Sequence, residues 1–231
     1  NYTVTVTDSG GNGNSVTQNF TISEPIDISY TVTKLNIGCK GSNTGEIIFS
    51  NVVSENPVDI SYTDSNGTNI VQTVSNSNGS YNIQNLGIGF KQIKIKDSVT
   101  GCEKIENINI EEPDTNLSVN LVNTSSSSTN SILDAIATGG WGDTPLGNPA
   151  PGNTYEFTWQ VSTGGGYQTI TNTSSIGVFS FTILNLISQG KSVLDVSYPQ
   201  NNPGLDVRCR IKAINGNTGA FCERITQIIS I

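Results

Sequence analysis

Two Glu-Pro pairs, Glu24-Pro25 and Glu112-Pro113, stand 88 residues apart, and each closes a stretch of text that resembles the other. Val4-Thr5-Val6-Thr7-Asp8-Ser9 corresponds to Ile93-Lys94-Ile95-Lys96-Asp97-Ser98. Phe20-Thr21-Ile22-Ser23-Glu24-Pro25 corresponds to Ile108-Asn109-Ile110-Glu111-Glu112-Pro113. A fixed period of this size indicates an array of small domains, one per repeat. Each Glu-Pro pair is read as a module end, because proline removes a ladder donor and stiffens the link.

The repeated text alternates. In Tyr2-Thr3-Val4-Thr5-Val6-Thr7, the valines fall on one face and the threonines on the other, the pattern of a half-buried strand. Ser9-Gly10-Gly11-Asn12-Gly13-Asn14 is a turn, and a second strand returns through Phe20 to Ser23. Between Ile26 and Pro113 the same signals recur. Ile28 to Thr33, Gly45 to Phe49, Val58 to Tyr62 and Tyr81 to Leu86 read as strands, with turns such as Asp64-Ser65-Asn66-Gly67 between them. Short strands punctuated in this way predict an all-β chain of tandem immunoglobulin- or fibronectin-like β-sandwich modules. The expected division is 1–25 as the closing hairpin of a preceding repeat, 26–113 as a complete repeat, and 114–231 as a divergent immunoglobulin-like sandwich.

In that last stretch Tyr155, Phe157, Trp159 and Val161 share one strand face, as do Val207, Cys209, Ile211 and Ala213. Trp159 followed by Cys209 resembles the tryptophan and second cysteine of an immunoglobulin domain, but residues 114–158 hold no partner cysteine. The Gly/Pro stretch from Gly139 to Gly152 is expected to be a long loop.

Composition narrows the function. Only 34% of residues are hydrophobic and 13% charged, with a net charge of −8. That sign does not neutralise phosphates, so no nucleic-acid partner is expected. There is no histidine, hence neither the usual general base nor the commonest transition-metal ligand. With no paired-carboxylate cluster in view, an enzyme is not expected. No stretch is apolar enough to span a bilayer. An internal segment of a longer exported protein is the expectation.

The residues quoted from 1 to 113 resemble the SprB-type repeat of Bacteroidetes gliding adhesins. Cys39-Lys40-Gly41, Gly45-Glu46-Ile47, Asn85-Leu86 and Gly101-Cys102 are similar to that repeat's remaining landmarks, while the first hairpin carries Asn14-Ser15 where the repeat has Gly-Cys. The resemblance implies a secreted, extracellular cell-surface fibre exported by the type IX route. It implies neighbouring repeats as partners, and a role as a stalk in surface attachment or gliding. A second reading makes 114–231 a module that binds surface glycans or an outer-membrane anchoring or secretion partner.

Candidate sites follow. Four cysteines in an exported chain point to two disulfides, with three connectivities open. Cys39–Cys102 and Cys209–Cys222 are favoured because each pair lies within one module. A two-residue Asn215-Gly216 turn also brings Cys209 opposite Cys222, whereas a longer loop through Gly219 breaks that register. Free thiols or metal ligation are the alternatives. Asp8, Glu24, Asp97 and Glu112 recur near module ends and are candidate calcium ligands, with solvated turn carboxylates as the plainer reading. No other cofactor is expected. Trp141 and Tyr167 are candidates for a glycan-contacting surface, against Trp141 as a plug at the sandwich end. Asp97-Ser98-Val99 resembles a Bacteroidetes O-glycosylation acceptor, with Ser98 the acceptor.

Overall fold

The computed structural model describes residues 1–10, 13–64, 66–142, 152–200 and 204–231. Most of the expected Gly/Pro loop, residues 143–151, lies outside these. So do Gly11 and Asn12 of the first turn and Ser65 of a later one.

The fold is all-β. Strands β1 (Tyr2–Thr7) and β2 (Ser15–Phe20) form a separate two-stranded hairpin. Seven strands follow: β3 (Ser29–Leu35), β4 (Gly45–Val53), β5 (Val58–Thr63), β6 (Asn69–Val74), β7 (Ser77–Leu86), β8 (Gly89–Asp97) and β9 (Glu103–Ile110). They divide into a sheet of order β3-β4-β7 facing one of order β6-β5-β8-β9. Alternation explains the core between them. Ile47, Phe49, Ile60, Ile83, Ile93, Ile95 and Ile110 are the inward residues of their strands, and all are buried.

The C-terminal stretch contains β10 (Ser118–Ser126), β11 (Asn130–Thr138), β12 (Thr154–Ser162), β13 (Gln168–Thr169), β14 (Thr173–Ile176), β15 (Phe179–Leu186), β16 (Lys191–Ser197), β17 (Asp206–Ile214), β18 (Phe221–Ile225) and β19 (Ile229–Ser230). A sheet of order β10-β11-β16-β15-β14 faces one of order β13-β12-β17-β18, with β19 also on β17. Tyr155, Trp159 and Val161 from β12 meet Val207, Cys209, Ile211 and Ala213 from β17 in a second buried core. The buried indole of Trp159 is satisfied: its Nε1 donates to Ser192 Oγ at 2.9 Å, and that hydroxyl donates to Asn185 Oδ1 at 2.6 Å. The Ser/Thr tract at 124–129 is partly strand, since β10 runs through it with a register shift between Asn123 and Ser125.

The closing hairpin of each unit ends in an Asx-anchored turn. Asp97 N donates to Cys102 O, Gly101 N to Asp97 O, and Val99 N and Thr100 N to Asp97 Oδ1. The β17–β18 turn repeats every bond. Asn215 N donates to Ala220 O, Gly219 N to Asn215 O, and Asn217 N and Thr218 N to Asn215 Oδ1. The loop is therefore longer than two residues, and Cys222 pairs with Ala213, not Cys209.

Candidate functional site

The residues that most distinguish this chain lie where the two sandwiches meet. Seven residues, from Glu111 to Leu117, join β9 to β10. The loop after β3 folds back onto this linker. Ile37 N donates to Glu111 O at 2.8 Å, and the buried Asn36 bonds Glu111 twice: its Nδ2 donates to Oε2 and its Oδ1 accepts from the backbone N. Gly41 N donates to Glu112 Oε2 at 2.7 Å, and Lys40 Nζ donates to Asp114 O. Pro113 is buried. These contacts bring Ile37, Gly38 and Cys39 to the downstream end of their sandwich.

The β17–β18 hairpin of the C-terminal sandwich reaches the same place. Cys39 and Cys222 are joined by a disulfide that spans 183 positions of sequence. Beside it Gly38 lies against Phe221; a Cβ at Gly38 would stand 2.3 Å from the Phe221 carbonyl oxygen. Trp141, on the one-turn 3-10 helix Gly140–Gly142, donates from Nε1 to Ile37 O at 2.8 Å. Each contact crosses from one sandwich to the other. Backbone apposition, indole hydrogen bond and covalent bridge together fix position and angle, where a short linker alone leaves domains free to move.

The expected disulfides are both corrected by this bridge. Cys39 sits at the downstream end of its sandwich and Cys102 at the upstream turn of β8–β9, separated by the length of β9, roughly 25 Å at strand rise. Cys209 lies four residues along β17 from the partner of Cys222, roughly 13 Å, and points into the core. Cys102 and Cys209 are free thiols, the first exposed and the second buried. Burial pushes the Cys209 thiol up to about 12. On the early strand β11, Leu133 and Ala135 fill the core where an immunoglobulin domain carries its first cysteine.

The candidate calcium ligands are not gathered into a site. Asp97 and Glu112 stand at opposite ends of β9, and Asp8 and Glu24 at opposite ends of β2. The engaged carboxylates are taken up by protein donors: Asp8 Oδ1 accepts from Gly10 N in its own turn, Asp97 from Val99 and Thr100 of its turn and from Asn56, and Glu112 from Gly41 N of the loop after β3. Glu24 is exposed. Among the described residues no cluster of three or more His, Cys, Asp or Glu is placed to hold a metal. Hydrogen bonds, the Thr100 amide first, hold the Asp97 carboxyl down at about 2.

Trp141 and Tyr167 do not form one ligand surface. Trp141 is at the junction; the Arg208 guanidinium covers the Tyr167 ring, 3.6 Å from its centroid. Arg208 and Ala213, which mark the two places on β17, are roughly 17 Å apart at strand rise. Ser98 is exposed on its turn, with its backbone N bonded to Pro57 O. A groove of about 380 Å³ runs along the junction, lined by Leu35, Gly38, Cys39, Thr44, Ala220 and Phe221. No helix among the described residues is long and apolar enough to cross a membrane.

No known family matches this sequence, and no curated protein does. Among solved structures, a crystal structure of a tetra-tandem repeat in the extending region of a large adhesion protein aligns over 99% of this chain and 56% of its own, at 18% identity and a TM-score of 0.29. The chain thus spans about half the length of that structure. At such a score the two do not superpose as wholes, and no property passes from one to the other on that ground.

Proposed function

We propose that this chain is a stiff, non-enzymatic segment of an extracellular repeat fibre, a stalk that carries tension between a cell surface and whatever the fibre grips. The Cys39–Cys222 bridge carries the reading. It joins two sandwiches across their junction, and it sets the covalent path for force. Tension applied across residues 1 and 231 travels to Cys39, crosses the disulfide and leaves through Cys222. The stretch between, 183 positions long, drops out of that path. About 48 of the 231 residues remain in it, roughly 170 Å when extended, against roughly 800 Å for an open chain. The β-sandwiches can lose tertiary structure under load without the fibre lengthening by their full contour.

Three further observations support this reading. A disulfide belongs to an oxidising compartment, which fits an exported chain. Asn36, Trp141 and Gly38 add non-covalent contacts that hold the junction angle. The resemblance of residues 1–113 to the SprB-type repeat supports the finer reading, a gliding or attachment adhesin exported by the type IX route. The experiment is the distance distribution between one spin label on each sandwich, measured before and after reduction. A narrow distribution that broadens on reduction is expected. One that is already broad in the oxidised chain contradicts a stiff stalk.

A further inference from the structure

The N-terminal hairpin has one apolar face with nothing on it. Every described residue from Asn1 to Asp27 is exposed. Yet the two faces of β1–β2 differ sharply. On one, Thr3 bonds Asn19, Thr5 bonds Thr17, and Thr21 bonds Asn1, a finished polar surface. On the other stand Val4, Val6, Val16, Phe20 and Ile22. The outer edge of β1 is likewise open, since among the described residues β1 pairs only with β2. An apolar face beside an open strand edge is a pairing surface.

The second hairpin of the same chain shows what such a surface takes. Val4 pairs with Gln18 and Val6 with Val16; at the corresponding places Ile93 pairs with Glu106 and Ile95 with Lys104. The turns open alike, although the first spans one residue more. Asp8 N donates to Asn14 O and Asp97 N to Cys102 O, with each Asp Oδ1 accepting from the amide two residues on. Val4, Val6 and Ile22 are 49%, 67% and 71% exposed, whereas their counterparts Ile93, Ile95 and Ile110 are 1%, 0% and 0%. In the complete sandwich these positions are covered by the β3-β4-β7 sheet, and the free edge of β8 is taken by β5, with Tyr62 opposite Ile93 and Ile60 opposite Ile95.

We infer that the β1–β2 hairpin is the closing hairpin of an upstream β-sandwich, and that its apolar face and β1 edge receive strands equivalent to residues 26–89 of this chain, supplied from upstream. The occupant adds a β5-like strand beside β1 and lays a β3-β4-β7-like sheet across Val4, Val6 and Ile22. The inference rests on the repeat-fibre reading. Its readouts lie in residues 1–25, far from the Cys39–Cys222 junction, so the two fail separately.

The test is the 231-residue chain extended at its N-terminus by a second copy of its own residues 26–89. Asp8 N bonds Asn14 O, so the Val4 and Val6 amides already face β2 and the Thr5 and Thr7 amides face the open edge. Hydrogen exchange of the Thr5, Thr7 and Ile22 amides is expected to slow at least a hundredfold relative to the unextended chain. Val6→Lys and Ile22→Lys are expected to leave the melting of the 231-residue chain unchanged and to lower that of the extended chain by several degrees. Unprotected hairpin amides in the extended chain, or lysine substitutions silent in both chains, overturn the inference. So does a dimer of the unextended chain that Val6→Lys dissociates while the added strands protect nothing, because that outcome assigns the face to a second copy.

Discussion

Gly38 and Phe221 belong to different sandwiches, yet a Cβ on the glycine would stand 2.3 Å from the Phe221 carbonyl oxygen. The junction is closed backbone to backbone, and only a residue without a side chain fits. Gly38→Ala is expected to force the two sandwiches apart, shifting the junction signals of Ile37, Trp141 and Phe221 in NMR spectra. The interior of each sandwich should keep its stability to within about 0.5 kcal/mol, as for a change outside either core. An unshifted Trp141 indole signal would contradict the close apposition.

Trp141 holds the same interface through one hydrogen bond, from its indole Nε1 to Ile37 O at 2.8 Å. Trp141→Phe keeps the ring and removes the donor, with an expected cost of about 1 kcal/mol to junction closure. In the oxidised Trp159→Phe background, Trp141 fluorescence is expected to shift to the red on reduction, as the junction opens. Emission that ignores the disulfide would show that the indole is not seated there.

Thiol reactivity separates the cysteines. In the native oxidised protein one thiol, Cys102, is expected to react promptly with an aromatic disulfide reagent, because it is exposed. Cys209 should react only after unfolding, since burial raises its thiol to about 12 and excludes the reagent. Peptide mapping should recover Cys39 linked to Cys222. Two prompt thiols, or a Cys209–Cys222 linked peptide, would contradict the structure.

The Asp97 turn adds an acid-dependent contribution. Its carboxyl is lowered from 3.8 to about 2, first by the Thr100 amide and then by Val99 and Asn56. A carboxylate with a lowered folded pKa stabilises the fold above its unfolded value. The contribution is therefore whole above about pH 4 and fades as the pH falls toward 2. Asp97→Asn should fold, because Asn215 builds the same turn with an amide. Thermal melts from pH 6 to pH 2 should fall less steeply for the variant than for the parent. Equal slopes would contradict the assignment.

Asn36 is buried and bonds Glu111 through both of its side-chain polar atoms. Asn36→Ala strands the Glu111 amide and is expected to cost about 2 kcal/mol of stability in the seven-stranded sandwich, read from denaturant melts. A loss below a few tenths of a kcal/mol would mean that water replaces the amide without penalty.

The strands were legible because their chemistry is local. Valine and threonine alternate through β1, and Tyr155 to Val161 and Val207 to Ala213 place their apolar residues on one face; burial alternates strictly along β17, whereas every residue of β1 is exposed. The disulfide was not legible, because it depends on where two loops lie in space. Asn215-Gly216 has the composition of a two-residue turn. Yet the Asn215 side chain caps two amides and lengthens the loop, moving Cys222 opposite Ala213. One signal was available: Asp97 to Gly101 and Asn215 to Gly219 share an Asx residue with Thr-Gly at the same spacing, which marks the same turn in both. No local pattern shows that Gly38 will touch Phe221, or Ile37 Trp141.

Stretching a single chain by its ends tests the mechanical claim most directly. In the oxidised protein, residues 1 and 231 should separate by roughly 170 Å at full extension, and by roughly 800 Å once the Cys39–Cys222 bridge is reduced. An oxidised chain that already extends to the longer length would contradict the bridge and the stalk built on it.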